Sequence, residues 1–362
     1  MNNLSQKIAI SRYVQPYSRM NVDAERLMER DESEKDHNPF GQNVRETFPE
    51  ADVFVDSSDE NNLQASLARF IELIFGNSFH TPTNDEFAMF NAFAASRRSG
   101  SLARQVGAII TSQTGEIVST GYNDIPSYGG GVYKNNSYDS RKYTSQFDTS
   151  DQKKYLVLGD LLFKLNELNL LKKSGEIGNG YEKYDSEELN ILVNCLGKKL
   201  KNSPVMNIIE YVREVHAEMA AIISASRHNN YLDNTLLYTT TFPCHDCTKH
   251  IIAAGIKRVV YIEPYPKSLT TDLFNEYIAI DNTTCNSERV RFEPFVGIAP
   301  RVYMDFFKMD KRKNKTGKIE EWVSTKGLLR NPELVYYLSK ELNECSRIEG
   351  FLKKRTQLYK SS

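Results

Sequence analysis

Apolar and polar positions recur along this chain with two periods, and the switches between them outline its architecture. In LQASLARFIELIFG (63–76) apolar residues return every three or four positions, which predicts an amphipathic helix stopped by Gly76. TPTNDEFAMFNAFAAS predicts another. Thr83 and Glu86 have capping-box spacing, and Phe87, Phe90 and Ala94 are its expected apolar face. VGAII and EIVSTGYN flank the polar turn SQTG and predict a β-hairpin. YLVLGDLLFKLNELNLL and ELNILVNCLGKKL read as helices. One long helix is expected through PVMNIIEYVREVHAEMAAIISASRH, with Pro204 in its first turn and Asn229 and Asn230 at its end.

The period then changes. NTLLYTTT reads as a strand, CHDCTKHIIAAG as a helix stopped by Gly255, and KRVVYIEPY as a second strand. Strand, helix, strand in so short a span predicts a right-handed parallel crossover, hence an α/β sandwich with a mixed sheet. ADVFVD (51–56) is expected to be a short buried strand and RVRFEPFVGI one more. A basic loop, KMDKRKNKTGK, and a helical tail follow. No internal repeat is present.

Composition narrows the function classes only modestly. The 362 residues carry 46 Lys and Arg against 47 Asp and Glu, so the net charge of −1 leaves no global footprint for nucleic acid or an acidic membrane. No run of about 18 apolar residues exists to span a bilayer, and the first residues lack the apolar core of a signal peptide. The 5 cysteines are odd in number and mostly far apart. That is no disulfide framework, and a reducing cytoplasm is the expected location. Cys195, Cys285 and Cys345 are expected to be core residues.

FPCHDC holds the chemistry. Cys244 and Cys247 fall in the first turn of a predicted helix, where unpaired N–H groups and the dipole favour thiolates. A structural zinc site would need a second C-x-x-C, and there is none. VHAEMAA supplies His216 instead. One His and two Cys leave a fourth zinc position open, the catalytic pattern. Zinc so held acidifies bound water into a nucleophile at neutral pH. Glu218, two residues beyond His216, is the expected proton shuttle, because a carboxylate bound to the metal would lose the lone pairs that this work needs.

The order H-x-E then P-C-x-x-C is the known signature of the zinc deaminases. On SLARQVGAII, STGYNDIP, EYVREVHAEMAA and FPCHDCTKHIIAAGIKRVVYIEPY the chain resembles the cytidine/deoxycytidylate deaminase superfamily, in its deoxycytidylate branch. RFEPFVGIAPRVYMDFF (291–307) is similar to the C-terminal segment of the anti-phage dCTP deaminases, a defence family. The resemblance implies a three-layer α/β/α cytidine-deaminase-like fold, with a helical insertion and terminal extensions. It implies Zn2+ as cofactor, His216, Cys244 and Cys247 as ligands, and Glu218 as the catalytic proton carrier. Residues 1–78 resemble the back half of that family's P-loop kinase-like domain but lack a P-loop. Residues 79–310 would form the deaminase domain, with an insertion at about 127–203, and 311–362 a helical tail.

The implied reaction is deamination of dCTP or dCMP, draining dCTP during phage replication. A housekeeping dCMP deaminase, a polynucleotide deaminase acting on tRNA or single-stranded DNA, and a silent zinc-binding module are the alternatives. The implied partners are the nucleotide, further copies of the chain, and a regulatory RNA or inhibitor protein; no membrane is implied. Asn123 of GYNDIP would hydrogen-bond the sugar or base, or serve only as a turn residue. PSYGGG, with Gly130 at its centre, could offer N–H groups to a phosphate or simply lead into the insertion. Arg104 is read either as a phosphate contact or as a structural arginine. His245 is expected to point away from the metal, and His80 and His250 to be structural.

Overall fold

The structure is a computed structural model that describes residues 47–58, 60–133, 149–168, 208–265, 268–280, 288–309, 312–324, 327, 341–350 and 352. In chain order its strands are β1 (Val53–Phe54), β2 (Gly107–Thr111), β3 (Ile117–Tyr122), β4 (Leu236–Thr241), β5 (Arg258–Glu263), β6 (Ile278–Ile280), β7 (Val290–Pro294) and β8 (Gly297–Ile298). The α-helices are α1 (Glu60–Ile74), α2 (Asn84–Ser96), α3 (Thr149–Glu167), α4 (Ala217–Arg227), α5 (His245–Ala253), α6 (Thr270–Phe274) and α7 (Tyr303–Phe306). Contacts divide the chain into two units. One comprises the described residues up to Leu67 with Pro82–Tyr303, and the other Ala68–Thr81 with the described residues from Met304 onward.

The larger unit is built on a six-stranded sheet of order β3-β2-β4-β5-β7-β6. The pairs β2/β3 and β2/β4 are antiparallel, whereas β4/β5, β5/β7 and β6/β7 are parallel. The expected mixed sheet, hairpin and parallel crossover are all present. Strand alternation divides the core between two faces. Ile109, Tyr238 and Val260 pack with Ala88, Met89 and Ala92 of α2. Ala108, Ile110, Leu237 and Val259 pack with Ala217 and Ala221 of α4 and Ile251 of α5. The result is a three-layer α/β/α sandwich. A separate antiparallel pair, β1 with β8, lies outside the main sheet, so ADVFVD contributes a two-residue strand rather than a six-residue one.

Two glycines on adjacent strands set the spacing between layers. A β-carbon at Gly107 would stand 1.9 Å from the carbonyl oxygen of Ala92, and one at Gly121 would stand 2.1 Å from that of Ala217. Gly107 therefore lets α2 lie against one face of the sheet, and Gly121 lets α4 lie against the other. Such close approach requires small residues on the helices. This corrects the expected face of α2: Ala88, Met89, Ala92 and Ala95 are buried, whereas Phe87 is 41 % exposed and Ala94 is exposed. Phe90 is turned aside to stack on Tyr303, with ring centroids 4.3 Å apart.

The capping box of α2 is present, with Glu86 N–H donating to Thr83 Oγ1 and Thr83 N–H to Glu86 Oε2. The other carboxylate oxygen accepts the N–H of Ile298 and ties β8 to the helix start. One residue earlier, Asp85 receives both terminal nitrogens of Arg258, at 2.9 and 2.8 Å, and the hydroxyl of Tyr238 at 2.6 Å. Arg258 Nε also reaches Glu293 at 2.6 Å. A bidentate guanidinium of this kind links α2 to β5 and β7.

Further corrections concern helix starts and stops. Gly76 and Gly255 take left-handed backbone (φ 81° and 76°) and end α1 and α5 as expected. The long helix is not formed over the described residues 208–216: helix begins at Ala217. Val215 instead makes an extended bridge to Asp124, and Pro204 lies outside the described residues, as does the helix expected over ELNILVNCLGKKL. Cys195 and Cys285 also lie outside them, and Cys345 is exposed rather than a core residue.

In the smaller unit Phe70 meets Phe306 with ring centroids 6.0 Å apart, and Trp322 Nε1 donates to the carbonyl of Phe75. His80 there bonds Glu72 at 2.6 Å, a structural role as expected.

Two outcomes are expected from this packing. Gly121→Ala forces α4 off the sheet and costs about 2 kcal/mol or more in denaturant unfolding. Asp85→Asn costs about 1–3 kcal/mol, less than a fully buried pair because the groups are partly solvated. Burial works to raise the Asp85 pKa, but the hydrogen bonds from Arg258 and Tyr238 and the Arg258 charge outweigh it and hold it below 3.8. The stabilisation is therefore complete above that value and lost as pH falls through the lower folded pKa. Acid unfolding followed by circular dichroism shows this loss in the parent and not in Asp85→Asn.

Candidate active site

Two helix N-termini meet at the carboxyl ends of the parallel strands. His216 is the N-cap of α4, with extended backbone (φ −66°, ψ 156°). Cys244 is the N-cap of α5 (φ −72°, ψ 165°), and its Sγ accepts the N–H of Cys247 at 3.4 Å. Extended backbone at Val215 and His216 ties the start of α4 to Asp124 through an isolated antiparallel bridge. Cys244 follows β4 by three residues, at the edge where open α/β sheets place their ligands.

His216 Nδ1 lies 3.2 Å from Cys244 Sγ and 3.4 Å from Cys247 Sγ. The three donor atoms all fall within 4.8 Å of one another, the one such ligand group among the described residues. A tetrahedral zinc with bonds of about 2.0–2.3 Å spaces its nitrogen and sulfur ligands about 3.5 Å apart. One nitrogen and two sulfurs at these separations fit that ion. Glu218 stands beside the group, its Oε2 3.5 Å from Cys247 Sγ, and is 4 % exposed. His245, between the two cysteines in sequence, stays outside the group, its Nδ1 buried with no hydrogen-bond partner among the described residues.

These groups perturb one another strongly. The hydrogen bond with Cys247 is the main cause lowering the Cys244 thiol to about 4; burial opposes it and His216 assists. The same bond, with burial and the Glu218 charge, pushes Cys247 upward. Burial would lower His216, but the hydrogen bond and charge of Cys244 prevail and raise it to about 9. Burial, then the Cys244 charge, raises Glu218 to about 7, against the pull of His216. Metal binding at such a site requires deprotonated ligands, so affinity for the ion rises with pH.

His216, Glu218 and Cys244 line a cavity of about 460 Å3 together with Arg104, Asn123, Lys154, Phe242 and Tyr265. Asn123 lies in this wall, and its amide serves the wall itself: Oδ1 accepts the N–H of Val106 at 2.7 Å and Nδ2 donates to the carbonyl of Arg104 at 2.8 Å. Arg104 lines the cavity while paired to Glu263 at 2.7 Å. Gly130 is absent from this lining, and its N–H donates to the carbonyl of Ser127. A β-carbon there would stand 2.7 Å from the guanidinium of Arg227.

Sequence reading missed several wall residues. Ile209 and Val212, within the stretch expected to be helix, line the cavity. Lys154 lies on the inward face of α3 with Tyr155 and Leu158, all 9 % exposed or less. A lysine on an otherwise apolar helical face was the available signal.

Residues 82–263, half of the chain, match the family described as "Cytidine and deoxycytidylate deaminase zinc-binding region". The chain is 28 % identical over 181 residues to the deoxycytidylate deaminase of Enterobacteria phage T2, covering 49 % of this chain and 78 % of that protein. It is 29 % identical over 184 residues to a probable deoxycytidylate deaminase of Drosophila melanogaster, covering 49 % and 58 %. Among solved structures, the apo dCMP deaminase from cyanophage S-TIM5 matches 60 % of this chain and 100 % of that one, at 18 % identity and a TM-score of 0.30.

Cys247→Ala is expected to lose stoichiometric zinc, measured by elemental analysis of the purified protein, and to lower the unfolding temperature, because metal-binding energy is folding energy at such a site.

Proposed function

The chain belongs to the cytidine and deoxycytidylate deaminase zinc-binding family, and from that premise we propose that it hydrolyses the exocyclic amine of free deoxycytidine nucleotides. The products are the deoxyuridine nucleotide and ammonia. The observation that carries this reading is Glu218: a buried carboxylate against the His216, Cys244 and Cys247 group yet outside it, in the lining of a nucleotide-sized cavity. The names of the relatives favour dCMP, and dCTP is kept beside it on the likeness of residues 291–307 to the anti-phage family.

Zinc, when bound by His216, Cys244 and Cys247, would supply the Lewis acid that activates water for attack on the amidine carbon. Glu218 Oε2 is placed to take a proton from the attacking water, deliver it to ring N3 and pass the second to the departing amine. Atoms balance: cytosine and water become uracil and ammonia. Asn123 holds the Arg104–Val106 strap that forms the wall and has one further N–H to offer the sugar. Arg104 and Lys154 supply positive charge for the phosphates, while their partners Glu263 and Asp151 keep them in place. In a cell infected by phage, an enzyme of this kind would drain the deoxycytidine nucleotide pool. That role is part of the proposal.

Incubation with dC, dCMP, dCTP, CTP and a tRNA pool, scored by chromatography, tests the substrate. Conversion of dCMP or dCTP is expected, with dC poorer for want of a phosphate; turnover of tRNA alone overturns the reading. Glu218→Gln is expected to retain zinc and lose about 10²–10⁴-fold in kcat.

A further inference from the structure

Behind the cysteine turn stand three hydroxyls that the chemistry above does not use. Ser268, Thr270 and Thr248 are 3 %, 0 % and 0 % exposed. Ser268 Oγ lies 2.8 Å from the carbonyl oxygen of Pro243, and Thr270 Oγ1 lies 3.1 Å from the same oxygen. Ser268 and Thr270 are 2.8 Å apart, and Thr270 and Thr248 are 2.9 Å apart. Thr248 Oγ1 reaches the carbonyl of Cys244 at 3.0 Å.

Three hydroxyls carry three protons. With the Thr248 proton on Cys244, those of Ser268 and Thr270 are shared among the Pro243 carbonyl, the Thr270 oxygen and Thr248 Oγ1. The two carbonyls belong to the peptides on either side of the Cys244 α-carbon. The Cys244 carbonyl already accepts the first helical bond, from Thr248 N–H at 2.9 Å. The Pro243 carbonyl precedes the helix and receives its donors from side chains 25 and 27 positions later in sequence. A buried carbonyl needs one donor. Here two hydroxyls converge on one carbonyl and a third grips the next, so rotation of either peptide plane is resisted. Those planes fix the direction in which Cys244 projects its sulfur.

We propose that Ser268, Thr270 and Thr248 form a positioning chain for the metal ligand Cys244, linking it to the loop after β5. Tyr265 of that loop lines the cavity, and its carbonyl accepts the N–H of Ser268 at 3.0 Å. A substrate pressing on Tyr265 therefore reaches the sulfur through two hydrogen-bonded steps. This proposal rests on the zinc-site reading above but not on which nucleotide is turned over. Hydrogen-bonded groups behind metal ligands typically contribute about 10–100-fold in affinity or activity.

Thr270→Val keeps the shape and removes the hydroxyl; Ser268→Ala provides a second variant should the first not fold, and Thr270→Ser restores the group. Each is compared with the parent by zinc release to a chromophoric chelator, by the visible spectrum of the cobalt(II)-substituted protein, and by kcat and KM separately. The expected result is zinc release about tenfold faster, displaced cobalt bands and a lowered kcat at similar KM, all returned towards the parent by Thr270→Ser. Unchanged cobalt bands and zinc release, with only the unfolding temperature lowered, would overturn the proposal. A parent that binds cobalt through thiolates but deaminates no cytosine nucleotide removes the functional reading, while the variant spectra still judge the hydroxyl chain.

Discussion

The close approach of α4 to the sheet at Gly121 is the constraint on which the site depends. A helix carbonyl occupies the place where any other residue would carry its β-carbon. That contact sets the depth of α4, and the first turn of α4 carries both His216 and Glu218. The alanines of the helix follow from the same contact, since Ala217 and Ala221 are fully buried against the strands. Small residues here are a requirement of layer spacing, and the reward is a pair of functional side chains held by a rigid element.

The two halves of the ligand set share one local device. His216 and Cys244 each occupy an N-cap, with extended backbone and a helix starting at the next residue. Two helix N-termini pointed at one spot bring unpaired N–H groups and positive dipole ends to it, which favours thiolate. The residues supplying the donors are thus placed by backbone features that do not depend on the metal.

Legibility in the sequence followed how narrowly chemistry restricts each position. Zinc accepts few ligand types, so Cys244, Cys247, His216 and the neighbouring Glu218 could be picked out by type and order. The parallel crossover was equally plain, because its strands are buried on both faces. The apolar face of α2 was misjudged because larger residues were taken as the inner ones, whereas Gly107 demands small ones there. The start of α4 was misjudged because Ile209, Val212 and Val215 mimic helical spacing while serving a cavity wall and a β-bridge. Ser268 and Thr270 left no trace, since serine and threonine after a strand read as ordinary turn residues and their partners are remote in sequence.

The short ladder between β1 and β8 has a consequence for the order of assembly. It joins Val53 to Ile298, far apart in sequence, whereas the β2/β3 hairpin and the β4–α5–β5 crossover are local. Closing so long a loop carries a large entropic cost and is compensated only once the intervening elements are in place. The hairpin and crossover therefore form first and the ladder last. On a ribosome both cysteines and His216 emerge before residue 298, so the metal ligands can be gathered while the first strand still waits for its partner.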